Sequence, residues 1–194
     1  SSFSFYFGHH ISTIEGGMVC TDDEDFADII KMIRSHGWDR DLSQEKQKRY
    51  RQENNITGIN SLYTFYYTGF NLRSTDLQAF LGLRQIKKAN WISDQRNKNH
   101  LLYAELLDGH VEFQQWGDNK PVSISFGALA RDKKHRKEIV NRLVENGIET
   151  RIFSAGNLGS HPFWTKRYGK FEDKMSDKIH SCGFFVPNYP ELTE

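Results

Sequence analysis

The chain has 194 residues, a formal net charge of +1 at pH 7 and 13% aromatic residues. The near-zero charge argues against general nucleic-acid binding, and the aromatic content is sufficient for a packed core. No apolar run reaches the roughly 18 residues that a membrane-spanning helix needs. The two cysteines, Cys20 and Cys182, form no Cys-x-x-Cys motif, which is typical of a reducing, cytoplasmic compartment.

The first residues predict a strand. Phe3, Phe5 and Phe7 alternate along the chain, so the sequence predicts that one face of this strand is buried. A chain that opens inside an apolar strand, without an initiator Met, is typical of the later part of a longer protein. We expect that situation here.

The next segment predicts a helix over residues 22–36, after a strand that ends at 19–20. Thr21 and Glu24 have the spacing of a capping box, and an apolar stripe runs along one helical face. Gly37 suits the position just after the helix.

Residues 38–60 are polar and have no clean period. They predict an irregular excursion with one short helix at most. The cations of this segment suit either a solvated surface or a phosphate-bearing ligand, and the first alternative is favoured for most of them: Arg40, Lys46, Lys48, Arg49 and Arg51.

The middle of the chain predicts a strand over the aromatic run 62–67, followed by a long helix. Ser74 or Thr75 is the N-cap, and the helix continues to about Leu107 before Gly109 ends it. At 1.5 Å per residue, a helix of this length spans roughly 45 Å.

The last part predicts a small α+β unit. Strands are expected at 122–128, 148–153 and 183–187, from alternating or continuously apolar residues. Asp132 caps a helix that Gly147 ends. The order of these elements favours a sheet that rests on the long helix.

The doublet His9-His10 is the first candidate for chemistry. Adjacent side chains of a strand point to opposite faces, and no His-Glu-x-x-His pattern follows, so a metal pair is disfavoured. The structural alternative is one buried histidine with a satisfied ring and one exposed histidine.

Two further motifs are individually weak. Glu15 is followed by two glycines, which allow a tight turn or a close backbone approach. Asn71 and Arg73 come directly before the predicted N-terminus of the long helix, where an anion or phosphate can bind.

Together these motifs are specific. Ser4, four residues, His9, five residues and Glu15-Gly-Gly, followed by GFNLRSTDLQAF, resemble the DegT/DnrJ/EryC1/StrS family of sugar aminotransferases. The resemblance implies an α/β protein of fold type I, the aspartate aminotransferase-like fold of pyridoxal phosphate (PLP) enzymes. It assigns residues 1–75 to the end of the large domain, 76–108 to a long connecting helix and 109–194 to a small α+β C-terminal domain.

The chain departs from the family at one position. The family has a lysine that forms a Schiff base with PLP at the position of His9, and an imidazole cannot form that bond. Members with histidine here are sugar 3-dehydratases, so the resemblance implies non-covalently held PLP or pyridoxamine phosphate (PMP), with His9 as the base. The implied reaction removes the C3 hydroxyl of a GDP-linked 4-keto-6-deoxyhexose, with glutamate as amino donor.

The resemblance also assigns other residues. Ser4 would bind the cofactor phosphate, Asn71 and Arg73 would bind phosphate or a carboxylate from the second subunit, and His10 would be structural. Each has a plain structural alternative, such as capping or surface pairing. The implied substrate-binding residues are His36, Arg40, Glu149, Arg151, Asn157 and His161. The family also implies a homodimer with shared active sites, and no metal.

Two other functions remain open. A 4-aminotransferase of the same fold would need the missing lysine, and a non-catalytic homologue would keep the fold only for binding or dimerisation. A relative with an iron–sulfur cluster is disfavoured, because such a cluster takes four cysteine thiolates and the chain has 2 cysteines. The aromatic residue that stacks on PLP, and the Asp that pairs with its pyridine nitrogen, are not identified in this sequence.

Overall fold

The computed structural model describes residues 1–192. The chain divides into two compact units, Ser1–Lys87 and Lys88–Glu194. No helix in the described part of the chain is both long and apolar enough to cross a membrane.

The first unit begins with a two-stranded antiparallel ribbon. Strand β1 (Ser2–Ser4) pairs with β2 (Gly17–Val19), with Phe3 opposite Met18. The sequence predicts that one face of this strand is buried. Within the part of the chain that the structure describes this is wrong, since Phe3 is 51% exposed and Phe7 is 66% exposed. The strand ends at Ser4, and a ribbon of two strands leaves its faces uncovered.

Helix α1 (Glu24–Arg34) is shorter than predicted and has a different cap. Asp23 is the N-cap, and its carboxylate accepts a hydrogen bond from the Phe26 N–H at 2.9 Å. The predicted capping box is therefore wrong: the Thr21 hydroxyl oxygen accepts from the Asp23 N–H instead, at 3.1 Å. A carboxylate at Asp23 is the stronger acceptor for the helix N-terminus.

The chain leaves α1 through a tight turn that requires glycine. Gly37 has φ +91° and donates its N–H to the Met32 carbonyl oxygen at 2.7 Å. A Cβ at this position would lie 1.9 Å from the Tyr67 carbonyl oxygen. The close approach of two backbone segments therefore excludes any side chain here.

The excursion after this turn contains one short helix, as predicted. Helix α2 (Gln44–Glu53) has Ser43 as its N-cap. Three of the cations that the sequence singled out are engaged by carboxylates of the same unit, which favours the solvated-surface alternative for them. The pairs are Lys46–Asp28 at 2.7 Å, Arg49–Asp25 at 3.3 Å and Arg51–Asp39 at 2.7 Å.

The aromatic run 62–67 is not a strand. A 3-10 turn covers Gly58–Leu62, and the run makes a single β-bridge, between Trp38 and Phe65. The rings of these two residues stack with centroids 6.1 Å apart. The β-propensity of aromatic residues reflects packing on a pleated surface. Here Tyr63 and Phe65 pack on Trp38 outside any sheet.

The predicted long helix is divided. Helix α3 (Asp76–Gln85) begins at Thr75, where a capping box with Gln78 is present. A 3-10 turn, Ile86–Lys88, follows, and α4 (Ala89–Leu107) ends before Gly109 at φ +71°. The domain bounds 1–75, 76–108 and 109–194 stay a prediction. In the sequence, the boundary between the two compact units falls after Lys87, within the predicted connector.

The second unit has a four-stranded antiparallel sheet. The predicted strand at 183–187 is confirmed, whereas the strand at 148–153 is reduced to two residues. The sheet order is β3-β4-β6-β5. Its strands are β3 (Glu112–Phe113), β4 (Ser125–Leu129), β5 (Arg151–Ile152) and β6 (Gly183–Pro187). The helices are α5 (Lys133–Glu145), α6 (Pro162–Tyr168) and α7 (Lys174–Cys182).

The core of this unit lies between the sheet and two helices. Phe126 of β4 is 1% exposed, and its ring lies 5.2 Å from that of Tyr103 on α4. Val140 of α5 also packs against this cluster. The predicted α+β arrangement, with a sheet resting on the long helix, is therefore found within residues 88–192.

Candidate functional site

Backbone hydrogen bonds explain the spacing between Ser4 and Glu15. The Phe5 N–H donates to the Gly16 carbonyl oxygen at 2.9 Å, and the Phe5 carbonyl oxygen accepts from the Thr13 N–H at 2.8 Å. These bonds hold the two ends of the histidine loop together. A residue inserted between Ser4 and Glu15 would disrupt this pairing, so the spacing has a structural cause.

Both histidines of the loop are half-buried. The His9 N–H donates to the Tyr6 carbonyl oxygen at 3.0 Å, and the two rings meet edge to face with centroids 5.6 Å apart. The alternative of one buried and one exposed histidine is therefore not what the fold adopts. The imidazole of His9 is partly accessible, as a proton-transfer group requires.

The Glu15 turn is seated against the first turn of α3. The Gln78 side-chain amide and the Thr13 hydroxyl both donate to the Glu15 carbonyl oxygen, each at 2.7 Å. At Gly16, φ is +151° and a Cβ would lie 2.6 Å from the Thr13 hydroxyl oxygen. The loop that carries His9 is thus hydrogen bonded to α3, the helix that Asn71 and Arg73 precede in the sequence.

The segment that carries Asn71 runs along the C-terminal end of α1. The His36 N–H donates to the Phe70 carbonyl oxygen at 2.7 Å, and Asn71 forms a β-bridge with Ser35. Arg73 Nε donates to the Asn71 side-chain oxygen at 3.2 Å. The fold therefore brings the Asn71–Arg73 pair close to the turn that carries His36, although the two are 35 residues apart in sequence.

Arg40 lies between two aromatic rings. Its guanidinium carbon is 3.9 Å from the centroid of Trp38 and 4.6 Å from that of Tyr63. Arg40 also donates to the Leu62 carbonyl oxygen, and the Trp38 ring lies 4.9 Å from that of His36. Stacking on aromatic faces orients a guanidinium while leaving N–H groups on its edge for an anion.

A buried carboxylate anchors the loop that carries Arg40. Asp39 is 1% exposed, and Arg51 donates to it through Nε and Nη2 at 2.7 and 3.3 Å. The hydrogen bonds that Arg51 donates to the Asp39 carboxylate raise the pKa of Arg51 above its ordinary value. Burial, assisted by the nearby Asp39 charge, raises the pKa of Tyr66, whose hydroxyl lies 3.4 Å from the same carboxylate. This network keeps Arg40 at a defined place on the surface.

A large open groove lies on the first unit. Its volume is about 1360 Å³, and the ribbon and α1 form most of its walls. Arg73 and Gln78 line one side, and most of the remaining surface is apolar, from Phe26, Ile30 and Met18 among others. Neither Ser4 nor His9 lines this groove.

The charged pair at the sheet edge of the second unit is satisfied internally. Arg151 donates through Nε and Nη2 to one carboxylate oxygen of Glu149, at 2.9 and 2.7 Å, and both side chains are more than half exposed. The pair is therefore compatible with a surface role as well as with ligand contacts, since exposed ion pairs exchange partners at little cost.

The last two predicted site residues, Asn157 and His161, both lie in the loop after β5 but differ in their surroundings. Asn157 is 3% exposed, and its side chain bonds with Gly159, Phe171 and Asp177. Its assignment to a sugar pocket stays a prediction that these bonds do not favour, because they account for the residue structurally. His161 is half-buried, with Nε2 3.0 Å from the Ala155 carbonyl oxygen.

Two residues near the predicted site were missed in the sequence. Tyr6 packs against His9. An aromatic residue three positions before a candidate base could have indicated this contact. Tyr63 stacks on Arg40 from a distance of 23 positions in sequence. No local pattern could have indicated that contact.

Comparison with known proteins supplies the wider context. The sequence model of the DegT/DnrJ/EryC1/StrS aminotransferase family matches residues 1–194. The chain is 34% identical to GDP-4-keto-6-deoxy-D-mannose 3-dehydratase of Yersinia pseudotuberculosis over 97% of its own length and 49% of the relative. Two solved structures of a GDP-4-keto-6-deoxymannose 3-dehydratase, each 26% identical, are similar in fold. One holds a trapped PLP-glutamate geminal diamine (TM-score 0.82, 98% of this chain and 50% of the other). The other is a histidine-to-asparagine variant with bound GDP-perosamine (TM-score 0.81, 97% and 50%).

The coverage defines what these similarities describe. The chain spans about half the length of the curated relatives it matches, whereas the family match extends over all of its own residues. The similarity to solved sugar 3-dehydratases confirms the predicted fold class, the α/β type I fold of PLP-dependent enzymes. The chain belongs to the DegT/DnrJ/EryC1/StrS aminotransferase family and has part of the type I fold of PLP-dependent enzymes.

Proposed function

We propose that the protein to which this chain belongs is a PLP- and PMP-dependent 3-dehydratase. Its substrate is a GDP-linked 4-keto-6-deoxyhexose that loses the C3 hydroxyl, and glutamate serves as amino donor with release of 2-oxoglutarate and ammonia. The observation that carries the proposal is His9, a partly accessible imidazole at the position that the Ser4 and Glu15 spacing gives to the Schiff-base lysine. The two free cysteines, Cys20 and Cys182, support a cytoplasmic setting for this chemistry.

The residues present are suited to a phosphate-bearing cofactor held without a covalent bond. Ser4 Oγ is exposed and accepts one hydrogen bond, from the Tyr6 N–H at 3.4 Å, so its own proton is available for a phosphate oxygen. Arg73 uses Nε for Asn71 and has its two terminal nitrogens for an anion. When bound, the cofactor supplies the electron sink for loss of the C3 hydroxyl.

His9 is the proposed proton carrier. An imidazole changes its charge near neutral pH and can both take up and return a proton. In the proposed reaction, Nδ1 or Nε2 of His9 removes a proton from the C4′ carbon of the bound cofactor. Because histidine has no primary amine, it cannot hold the cofactor covalently, and this difference from lysine favours dehydration over amination.

Arg40 and His36 are the proposed diphosphate contacts. Arg40 is oriented by Trp38 and Tyr63 and is backed by the buried Asp39 network. A stacked guanidinium pays little conformational entropy when an oxyanion binds. Glu149, Arg151 and His161 are proposed contacts of the sugar or of glutamate, on the basis of their partial or full exposure.

The proposed assembly is a homodimer with shared active sites. Support comes from apolar side chains of the first unit that are more than half exposed along the chain from 59 to 86. An accumulation of exposed apolar side chains is typical of association sites. These residues are Ile59, Leu62, Tyr63, Phe65, Phe70, Leu72, Leu77, Phe80, Leu83 and Ile86.

Absorbance and product analysis test the proposal. The full-length protein, given PLP and glutamate, should lose the PLP band at about 390 nm, and addition of GDP-4-keto-6-deoxymannose should release ammonia and a 3-deoxy ketosugar. A 4-amino sugar in place of ammonia would establish the aminotransferase alternative, and no conversion of the cofactor would favour the non-catalytic homologue. His9→Lys should abolish dehydration, and retained dehydration in that variant would contradict the role of His9.

A further inference from the structure

Tyr6 is hydrogen bonded both to Ser4, the proposed phosphate contact, and to His9, the proposed base. Its N–H donates to Ser4 Oγ at 3.4 Å, and its carbonyl oxygen accepts the His9 N–H at 3.0 Å. The preceding residue, Phe5, is hydrogen bonded to Gly16 and Thr13. The backbone of Tyr6 is thus part of the short connection between the proposed phosphate contact and the proposed base.

The side chain of Tyr6 adds a second restraint on His9. The two rings meet at an interplanar angle of 72° with centroids 5.6 Å apart, and the Phe7 ring lies 4.5 Å from Tyr6. Edge-to-face packing restricts how an aromatic ring can rotate. Within residues 1–192, Tyr6 provides the only aromatic ring contact of His9.

We propose that Tyr6 is a positioning residue for His9. Its ring selects one orientation of the imidazole, so that the same ring nitrogen is presented to the reacting carbon. A base must lie within hydrogen-bond reach of the proton that it removes, and small losses of orientation reduce the rate without weakening substrate binding. This inference rests on the proposed function of His9 and extends it to a second residue.

Three substitutions of Tyr6 distinguish the effect of its aromatic ring from the effects of its hydroxyl and of its side-chain volume. Tyr6→Phe keeps the ring, Tyr6→Leu keeps most of the volume without an aromatic face, and Tyr6→Ala removes both. Ile14→Ala is the matched control, because it truncates a 61% exposed apolar side chain of the same loop without removing a ring that contacts His9 or Tyr6. Since Tyr6 is 40% exposed, these variants are expected to fold, and far-UV circular dichroism checks this.

The kinetic expectation concerns kcat and KM separately. In the full-length protein, Tyr6→Ala and Tyr6→Leu should lower kcat for dehydration about three- to tenfold, the range that an aromatic pair supports, while KM for the sugar nucleotide stays within about twofold. Tyr6→Phe should keep the wild-type kcat, as should Ile14→Ala. An unchanged kcat in folded Tyr6→Leu, or equal losses in Tyr6→Phe and Tyr6→Ala, would overturn the proposal.

A spectroscopic measurement tests the ring contact without turnover. In histidine-labelled full-length protein, the ring-proton signals of His9, assigned by their loss in His9→Gln, should shift in Tyr6→Leu and Tyr6→Ala and stay in place in Tyr6→Phe. Signals that do not move in Tyr6→Ala would overturn the contact. If His9→Gln itself leaves dehydration intact, the proposed function of His9 fails. If His9→Gln abolishes dehydration and Tyr6→Leu does not affect it, only the role of Tyr6 fails.

Discussion

The two compact units differ in how they bury their apolar side chains. The second unit has a continuous cluster that includes Phe126, Ala128 and Phe184, each less than 5% exposed. In the first unit, the apolar side chains of α3 face solvent, with Leu77 68% and Phe80 52% exposed. Burial of apolar area is the main favourable term in folding. The difference indicates that the second unit is stabilised by its own core, whereas the apolar face of α3 in the first unit is uncovered within residues 1–192.

The sharpest test of this comparison separates the units. Residues 88–194, expressed alone, should unfold cooperatively in urea, because their core is internal. Residues 1–87, expressed alone, should show no cooperative transition and should bind a dye specific for exposed apolar surface. Circular dichroism and dye fluorescence measure these properties. Cooperative unfolding of residues 1–87 alone would contradict the comparison.

Truncation of one phenylalanine in each unit should give the next largest difference. Phe126→Ala should lower the free energy of unfolding of the second unit by about 3–5 kcal/mol, through lost burial and a cavity. Phe80→Ala, the control on the exposed face of α3, should change it by no more than about 0.5 kcal/mol in the monomeric chain. Urea titrations measure both values. Similar losses in the two variants would show that α3 is covered in solution.

The stability of the first unit should depend on its buried polar network more than the stability of the second unit does. Asp39→Asn should weaken the contacts to Arg51 and destabilise the loop around Arg40 by about 1.5–3 kcal/mol, as expected for a hydrogen bond to a charged group. Hydrogen exchange of the amides in residues 36–51 of the full-length protein measures this effect. Asp41→Asn is the control, since Asp41 pairs with Arg34 at an exposed position and should contribute less than about 1 kcal/mol. Equal exchange rates in both variants would contradict the anchoring role.

The smallest expected effect is the pH dependence of the second unit. Burial lowers the pKa of His100, which lies between Trp116 and Phe126. The unfolded state therefore takes up a proton at higher pH than the folded state, and stability should fall as the pH drops below about 6.5, levelling off below the folded pKa.

Urea midpoints of residues 88–194 at about pH 7.5 and about pH 5.5 measure this dependence. His100→Gln should reduce the difference between the two midpoints. The exposed His110 serves as control, and His110→Gln should leave the difference unchanged. An equal pH dependence in wild type and His100→Gln would assign the effect to other groups.

Local signals predicted the elements that local contacts stabilise. The cap at Ser74 or Thr75, the helix between Asp132 and Gly147 and the strand at 183–187 were predicted correctly, because caps, glycines and apolar periodicity act within a few residues. The predictions were wrong where two local alternatives were closely matched. Asp23 replaced Thr21 as the N-cap of α1, and the aromatic run 62–67 packed on Trp38 instead of joining a sheet.

The sequence by itself determined the family, since the spacing from Ser4 through His9 to Glu15 and the motif before α3 are linear patterns, and the family match covers all 194 residues. It also predicts that His9 stands at the position of the lysine in the family pattern. Only the tertiary structure decided that Tyr6 packs on His9, that Tyr63 stacks on Arg40 and that the Asn157 side chain is engaged within its own loop. Such contacts depend on where distant backbone segments meet, as Gly37 meets Tyr67, and no periodicity or propensity carries that information.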